Sequence, residues 1–370
     1  MYSLFETDRR TARPSEWPSS IALVLVSCIF SLVLLEVACR LVRTGPAALT
    51  NWPNLARERM SNSEDGSGPC GYAYDATLGW TTPPNCSSPD YNVDGDGFRL
   101  TPTTSFLSGA PVLATGSSFT LGEEVADSES WPTYLQDLTG RKVLNGGVSG
   151  YSLDQTVLRT ERLARQVRPA IIVASFTPDD VRRTELKVAW SRAKPYFAVT
   201  AGQLELRNVP VPGRPGAPVP LPIAARLLGR SALADGLAQQ LQIHEGWYYD
   251  EVWAMPRGSG ETIACLLMPR LATLGVPVMM LAQYSRGHWM ADAAGKARDF
   301  RVVRKVLDCA TAAGLPTYDL AAPLRPAMEA RGVKALFHTD HHSPEGNRAV
   351  AELVMRELAR QRLLSATADR

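Results

Sequence analysis

From residue 110 onward, short apolar runs alternate with helix-like stretches, five of each. The runs are "PVLATG", "KVLNGGV", "AIIVASF", "VPVMMLAQ" and "LPTYDL". The stretches are "SWPTYLQDLTG", "SLDQTVLRTERLARQVRP", "ETIACLLMPRLATLG", "KARDFRVVRKVLDCATAAG" and "SPEGNRAVAELVMRELARQ", with apolar residues at helical spacing. Ser152 is placed as an N-cap, and Gly140 and Pro169 as stops. A strand reached through a helix rejoins its sheet parallel to the strand before it. The pattern therefore predicts a three-layer α/β/α sandwich around a central parallel sheet. In such sheets the chemistry collects in loops at the carboxyl ends of the strands, where Gly116-Ser117-Ser118 lies.

The start of the chain obeys a different rule. No charge occurs from Pro18 to Leu35, about the length that crosses a bilayer core. An uncharged run so near the beginning reads as a single anchor rather than a core helix. Cleavage is not expected: the leader is long and mixed in charge, no small-x-small site follows, and Glu36-Val37-Ala38 before Cys39 is a poor lipoprotein box. Arg9, Arg10 and Arg13 precede the run, whereas Arg40 and Arg43 follow it. That count leans to the N-terminus inside, with residues 44–370 periplasmic or on the cell surface. The chain divides into a tail (1–17), a transmembrane anchor (18–43), a polar linker (44–72) and a domain (73–366). An insertion at about 182–250 interrupts the strand–helix rhythm of that domain, placed to shape or cover a substrate cleft.

A net charge of +2, with Lys and Arg dispersed, gives no footprint for nucleic acid. Cys70 and Cys86 bracket a Gly/Pro/Asn-rich loop and are placed to pair in an oxidising compartment; Cys265 and Cys309, in apolar helical patterns, read as core thiols. No spacing suggests a metal site, and no cofactor is expected.

A serine hydroxyl needs a base to take its proton and donors for the oxyanion that follows. The base candidates are His341 and His342 in "LFHTDHHSPEGNRAVAE", where Ser343-Pro344 opens a helix. Three of the five histidines fall within five residues there, with Asp340 adjacent. Gly150 in "NGGVSGYS" is free to present its backbone N–H. In "FTPDD", Asp179 and Asp180 are the side chains within reach of the same strand ends.

Gly116-Ser117-Ser118-Phe119-Thr120, "NGGVSGYSLDQ", "FTPDDV" and "DHHSPEGN" resemble, in order and spacing, the four blocks of the SGNH (GDSL-like) hydrolases. "LGWTTPPN" and "NVDGDGFRL" resemble the lead-in of a membrane-anchored bacterial branch of that family. The resemblance covers roughly residues 73–360, less the insertion, and implies the flavodoxin-like SGNH fold. It makes Ser118 the nucleophile and an oxyanion donor, Gly150 a second donor, and His341 or His342 the base, with Asp340 the orienting carboxylate. Counting back from Gly346 selects His341; Asp-x-His spacing selects His342. Two positions depart from the family: Ser117 stands where it has Asp, and Asp179 where it has the Asn that completes the oxyanion hole. An ionised Asp179 donates nothing; a protonated one donates a single hydrogen bond.

The implied activity is removal or handling of O-acyl (acetyl) groups on extracytoplasmic carbohydrate or lipid. One alternative is an O-acyltransferase of a cell-envelope polysaccharide, which requires a membrane-bound acyl-donor partner. Another is a catalytically weak glycan-binding domain, with "KPYF" and "GWYYDEVW" as stacking residues.

Overall fold

The computed structural model describes residues 17–46, 50, 52–56, 70–190, 192–212, 221–241, 243 and 259–364. Residues 1–16 of the tail, most of the linker and "GWYYDEVW" lie outside the described residues.

The five apolar runs form one sheet. Its strands are β1 (Val112–Thr115), β2 (Val143–Asn145), β3 (Ile171–Phe176), β4 (Val278–Ala282) and β5 (Thr317–Asp319), in the order β2-β1-β3-β4-β5. Every pairing is parallel, with Val112 opposite Val143, Leu113 opposite Ile172, Met280 opposite Ala174 and Leu281 opposite Tyr318. The two-residue period of a strand sorts its side chains onto opposite faces. Leu113, Ile172, Ala174, Val278 and Met280 pack with helices α4 (Leu153–Val167), α8 (Ser259–Ala272) and α9 (Ala293–Ala312). Val112, Ala114, Ile171, Val173, Met279 and Leu281 pack with α3 (Trp131–Thr139), α10 (Ala321–Arg331) and α11 (Pro344–Arg360). Both faces are covered, which is why the strands read as continuous apolar runs rather than alternating ones.

The strand order reverses direction between β1 and β3. At such a switch point the two flanking connections leave to opposite sides and open a crevice at the carboxyl ends. Three short elements line that end: α2 (Ser118–Leu121) after β1, the turn 146–152 after β2, and α5 (Pro178–Arg183) after β3.

The lead-in braces this rim. Trp80 of the hairpin Ala73–Asp75/Gly79–Thr81 is buried and donates from Nε1 to the Ser149 carbonyl at 3.0 Å, and the Tyr151 hydroxyl donates to the Trp80 carbonyl at 2.7 Å. Arg99, also buried, donates to the carbonyls of Leu121 (2.9 Å), Gly122 and Val125 (2.6 Å) and to Asp127 (3.0 Å). One guanidinium thus fixes the loop that follows α2.

Within the insertion, hairpin strands Tyr196–Thr200 and Gln203–Arg207 precede helices α6 (Ile223–Leu228) and α7 (Ala232–Gln240). Lys194, from its "KPYF" stretch, forms a fully buried pair with Asp154 at 2.7 Å. Removing either partner would strand a charge in the interior.

Two disulfides are present. Cys70–Cys86 closes the loop as the spacing allowed. Cys265 and Cys309 are not core thiols as expected: they are joined, with Cα atoms 5.1 Å apart. Each lies at the half-buried edge of its helix's apolar stripe, where α8 and α9 run side by side. Helix α1 (Trp17–Thr44) stands away from the domain over most of its length, and its Ile21–Val42 stretch is apolar and long enough to cross a membrane.

Candidate active site

Ser118 is the first residue of α2 and the half-exposed one in an otherwise buried run from Val112 to Leu121. The turn that presents it is tight. A Cβ on Gly116 would lie 2.3 Å from Thr120 Oγ1 and 2.5 Å from Ser175 Oγ, so only glycine fits. Ser117 points the other way and donates to the buried Asp180 carboxylate at 2.9 Å. Asp180 also accepts from the Thr177 N–H and pairs with Arg183. Ser117 therefore ties the turn after β1 to the turn after β3.

The His341 Nε2 atom lies 2.8 Å from Ser118 Oγ. The ring packs against Phe119, with centroids 4.9 Å apart. Burial alone would lower the His341 pKa, but the Glu124 and Glu123 carboxylates, with a smaller share from Asp340, outweigh it and hold the pKa above the ordinary value.

His342 does not share this place. It is buried between Phe119 and Phe337, with no hydrogen-bond partner for either ring nitrogen among the described residues. Burial pushes its pKa down to about 3, with the neighbouring His341 adding to the effect. Consecutive residues in an extended turn point to opposite sides, so one histidine meets the serine and the other enters the core. His342 thus packs in the core, between the two phenylalanines, and makes no hydrogen bond with Ser118 among the described residues. Its folded pKa is depressed, so between about pH 6.5 and pH 3 the unfolded chain binds a proton that the folded chain refuses. Stability from this group is present above that window and falls by about 1.4 kcal/mol per pH unit on acidification. His342→Leu is expected to flatten this slope, as measured by denaturant unfolding of the full chain at pH 7 and pH 5.

Asp340, expected to orient the histidine, is exposed; its backbone, not its carboxylate, makes the local contacts, donating to Glu124 and accepting from the Arg286 N–H. A different carboxylate stands beside the ring. Glu124 Oε1 is 3.5 Å from His341 Nδ1, while its Oε2 accepts from the N–H groups of Thr339 (2.9 Å) and His341 (3.4 Å). Burial works to raise the Glu124 pKa; the His341 ring and the N–H groups of Asp340 and His341 prevail and lower it. Its backbone has φ +68°, which turns the side chain back toward the 338–342 loop. Glu123 approaches from the other side, 3.5 Å from His341 Nε2. Both glutamates lie on the loop clamped by Arg99. The signal that sequence reasoning passed over is "GEE" directly after the short nucleophile helix.

Two backbone N–H groups at this end of the sheet, those of Ser118 and Gly150, have no acceptor among the described residues, and that of Ser118 opens its helix. Gly150 has φ +71°, and a Cβ there would strike the indole of Trp190, whose Nε1 donates to the Gly150 carbonyl at 3.2 Å. Trp190 brings the insertion to the rim of the site. Asp179 takes no part in this arrangement. It stands on the second position of α5, 43% exposed, paired with Arg182 rather than turned toward Ser118. No group of three or more His, Cys, Asp or Glu side chains placed for a metal occurs among the described residues.

Residues 253–370 match a family model described as an SGNH hydrolase-like domain, acetyltransferase AlgX. That segment contains β4, β5, His341 and α11; Ser118 and Gly150 precede it. No curated protein matches the chain. Similar solved structures include a catalytic mutant of Axe2, an acetylxylan esterase from Geobacillus stearothermophilus, at 15% identity over 69% of this chain and 96% of that one, TM-score 0.44. Another is LAE5, an alpha/beta hydrolase enzyme from the metagenome of Lake Arreo, Spain, at 14% identity over 70% and 99%, TM-score 0.43. Across its C-terminal third, then, the chain is similar to an SGNH hydrolase-like domain.

Proposed function

We propose that the chain is a membrane-anchored serine esterase that removes O-acyl groups, acetyl among them, from extracytoplasmic carbohydrate or lipid. The observation that carries this reading is the 2.8 Å contact between Ser118 Oγ and His341 Nε2 at the switch point of the sheet. His341 takes the Ser118 proton as Oγ attacks the acyl carbonyl. The oxyanion that forms is met by the N–H groups of Ser118 and Gly150. His341 then returns the proton to the departing alcohol oxygen, and water releases the acyl group by the reverse sequence. Asp179 has no role in this scheme, and two backbone donors serve where the family has three.

Placement outside the cytoplasm is supported by the two disulfides and by the Lys/Arg count around α1. Retention of α1 as an anchor is supported by its C-terminal end, where Glu36 and Arg40 are hydrogen-bonded into the folded domain. A second reading, O-acyl transfer with a membrane-bound acyl donor, is favoured by the description of the matched family as an acetyltransferase.

The test is active-site labelling of the full chain in detergent with a fluorophosphonate, followed by peptide mapping. Ser118 is expected to carry the adduct; an unlabelled chain, or an adduct on another serine, overturns the assignment. Incubation with an acetyl ester and an oligosaccharide then separates free acetate from acetylated sugar and decides between the two readings.

A further inference from the structure

The insertion and the end of α1 are built into one another. Glu36 of α1 accepts from Ser231 Oγ (2.7 Å) and from the N–H groups of Ala232 (2.7 Å) and Leu233 (2.9 Å), so it caps α7 from outside its own chain segment. Arg40, one turn on, donates to Glu36 at 2.6 Å and to the Arg230 carbonyl, and lies 3.8 Å over the Trp52 ring. The Leu55 N–H donates to the Gly229 carbonyl at 2.8 Å, and Asn54 to the Ala225 carbonyl at 3.2 Å. Ala56, Leu221, Ala225 and Ala238 close a small core beneath.

The depth of this collar follows from the helix it grips. Ile21–Val42 is 22 residues, about 33 Å of helix against a hydrocarbon core of about 30 Å. Glu36 lies six residues before Val42, about 9 Å inside that end. Whatever binds Glu36 enters the same layer. The two helices bound there, with the residues just after α7, expose large aliphatic side chains: Ile223, Leu227, Leu228, Leu237, Leu241 and Ile243, each at least half exposed. A water-facing collar would gain nothing from six such residues together; one lying in a bilayer interface buries them in acyl chains. Arg40 and Trp52 beside them are the side-chain types that settle at headgroup level.

We infer that α6, α7 and the residues just after α7 form a membrane-embedded collar, seated in the leaflet that faces the domain, with lipid acyl chains covering the six aliphatic residues. The inference rests on the anchor reading of α1. The insertion then holds the domain at a set height and tilt, with the Trp190 rim connected to the same insertion. An acyl ester arriving from the membrane surface or from surface glycan would meet the site in a restricted orientation.

The test uses the full chain with Cys28→Ser and Cys39→Ser, reconstituted in phosphatidylcholine vesicles and spin-labelled at one introduced cysteine at a time. Labels at Leu227→Cys and Leu241→Cys are compared with labels at Phe30→Cys, in the middle of α1, and Phe106→Cys, which is 91% exposed on the domain. Collisions of the collar labels with a water-soluble nickel chelate are expected to fall about tenfold below those at position 106, while collisions with oxygen rise toward those at position 30. Chelate access at 227 and 241 equal to that at 106, with position 30 immersed, overturns the collar and leaves the anchor standing. Chelate access at position 30 overturns both. Shielding of 227 and 241 from chelate and oxygen alike means that protein covers the face, and overturns the collar in favour of a partner.

Discussion

Ser118→Ala is expected to lower ester cleavage by at least about 10³-fold while leaving the domain folded, because the substitution removes one oxygen from a half-exposed position. Hydroxyl loss ends covalent catalysis outright, since no other hydroxyl lies in contact with His341 among the described residues. Ser117, one residue earlier, cannot substitute: its Oγ is committed to the buried Asp180 carboxylate. The measurement is release of p-nitrophenol from a short-chain acyl ester by the full chain in detergent, with unfolding midpoints compared in parallel. The residual rate should not exceed what two backbone donors supply by binding alone. Full activity in the variant sinks the nucleophile assignment, and with it the proposed reaction.

The framework of this site was legible because its signals are local. Each strand announces itself by an apolar run bounded on at least one side by Gly or Pro, and each helix by its stripe, so the order of elements could be read directly. The turn at Gly116 was legible for the same reason: a strand that stops at Gly-Ser-Ser has few conformations open to it. What escaped is decided by the direction of side chains across space. The choice between His341 and His342 depends on which face of a two-residue turn meets Phe119, and spacing rules gave a different answer from each end of the motif. Asp340 looked like the partner of a histidine because it is its neighbour in sequence; Glu124 is its neighbour in space, 217 residues from His341 by the chain. Asp179 was read as a compromised oxyanion donor, whereas Arg182, one helical turn on, draws it to the surface. The disulfide between Cys265 and Cys309 needed the side-by-side contact of α8 and α9, which no helical period encodes. The insertion carried no strand–helix rhythm because its helices are organised by the end of α1 rather than by the sheet.

Glu124→Gln is the change that separates spatial from sequence proximity. The glutamate meets His341 on the side away from Ser118, with one oxygen near Nδ1 and the other held by the N–H groups of the same loop. Such a carboxylate fixes the ring with Nε2 toward the serine and stabilises the imidazolium that forms as the proton moves. Glutamine keeps the size and the loop contacts but removes the charge. The expected loss in kcat is about 10²–10⁴-fold, with KM little changed, because the charge acts only as the histidine becomes cationic. The pH profile should move as well. His341 must be neutral to accept a proton, so activity rises with pH through its pKa, which the two glutamates hold above the ordinary value. Without the Glu124 charge that pKa falls, and the acid limb of the profile shifts to lower pH even as the maximum drops. A loop that is merely destabilised would lose activity at every pH and leave the limb where it was. Asp340→Asn provides the complementary control: its exposed carboxylate is the smallest of the charges that raise the His341 pKa, so the limb should move less than with Glu124→Gln. A limb that moves with Asp340 and stays fixed with Glu124 would return the orienting role to the aspartate.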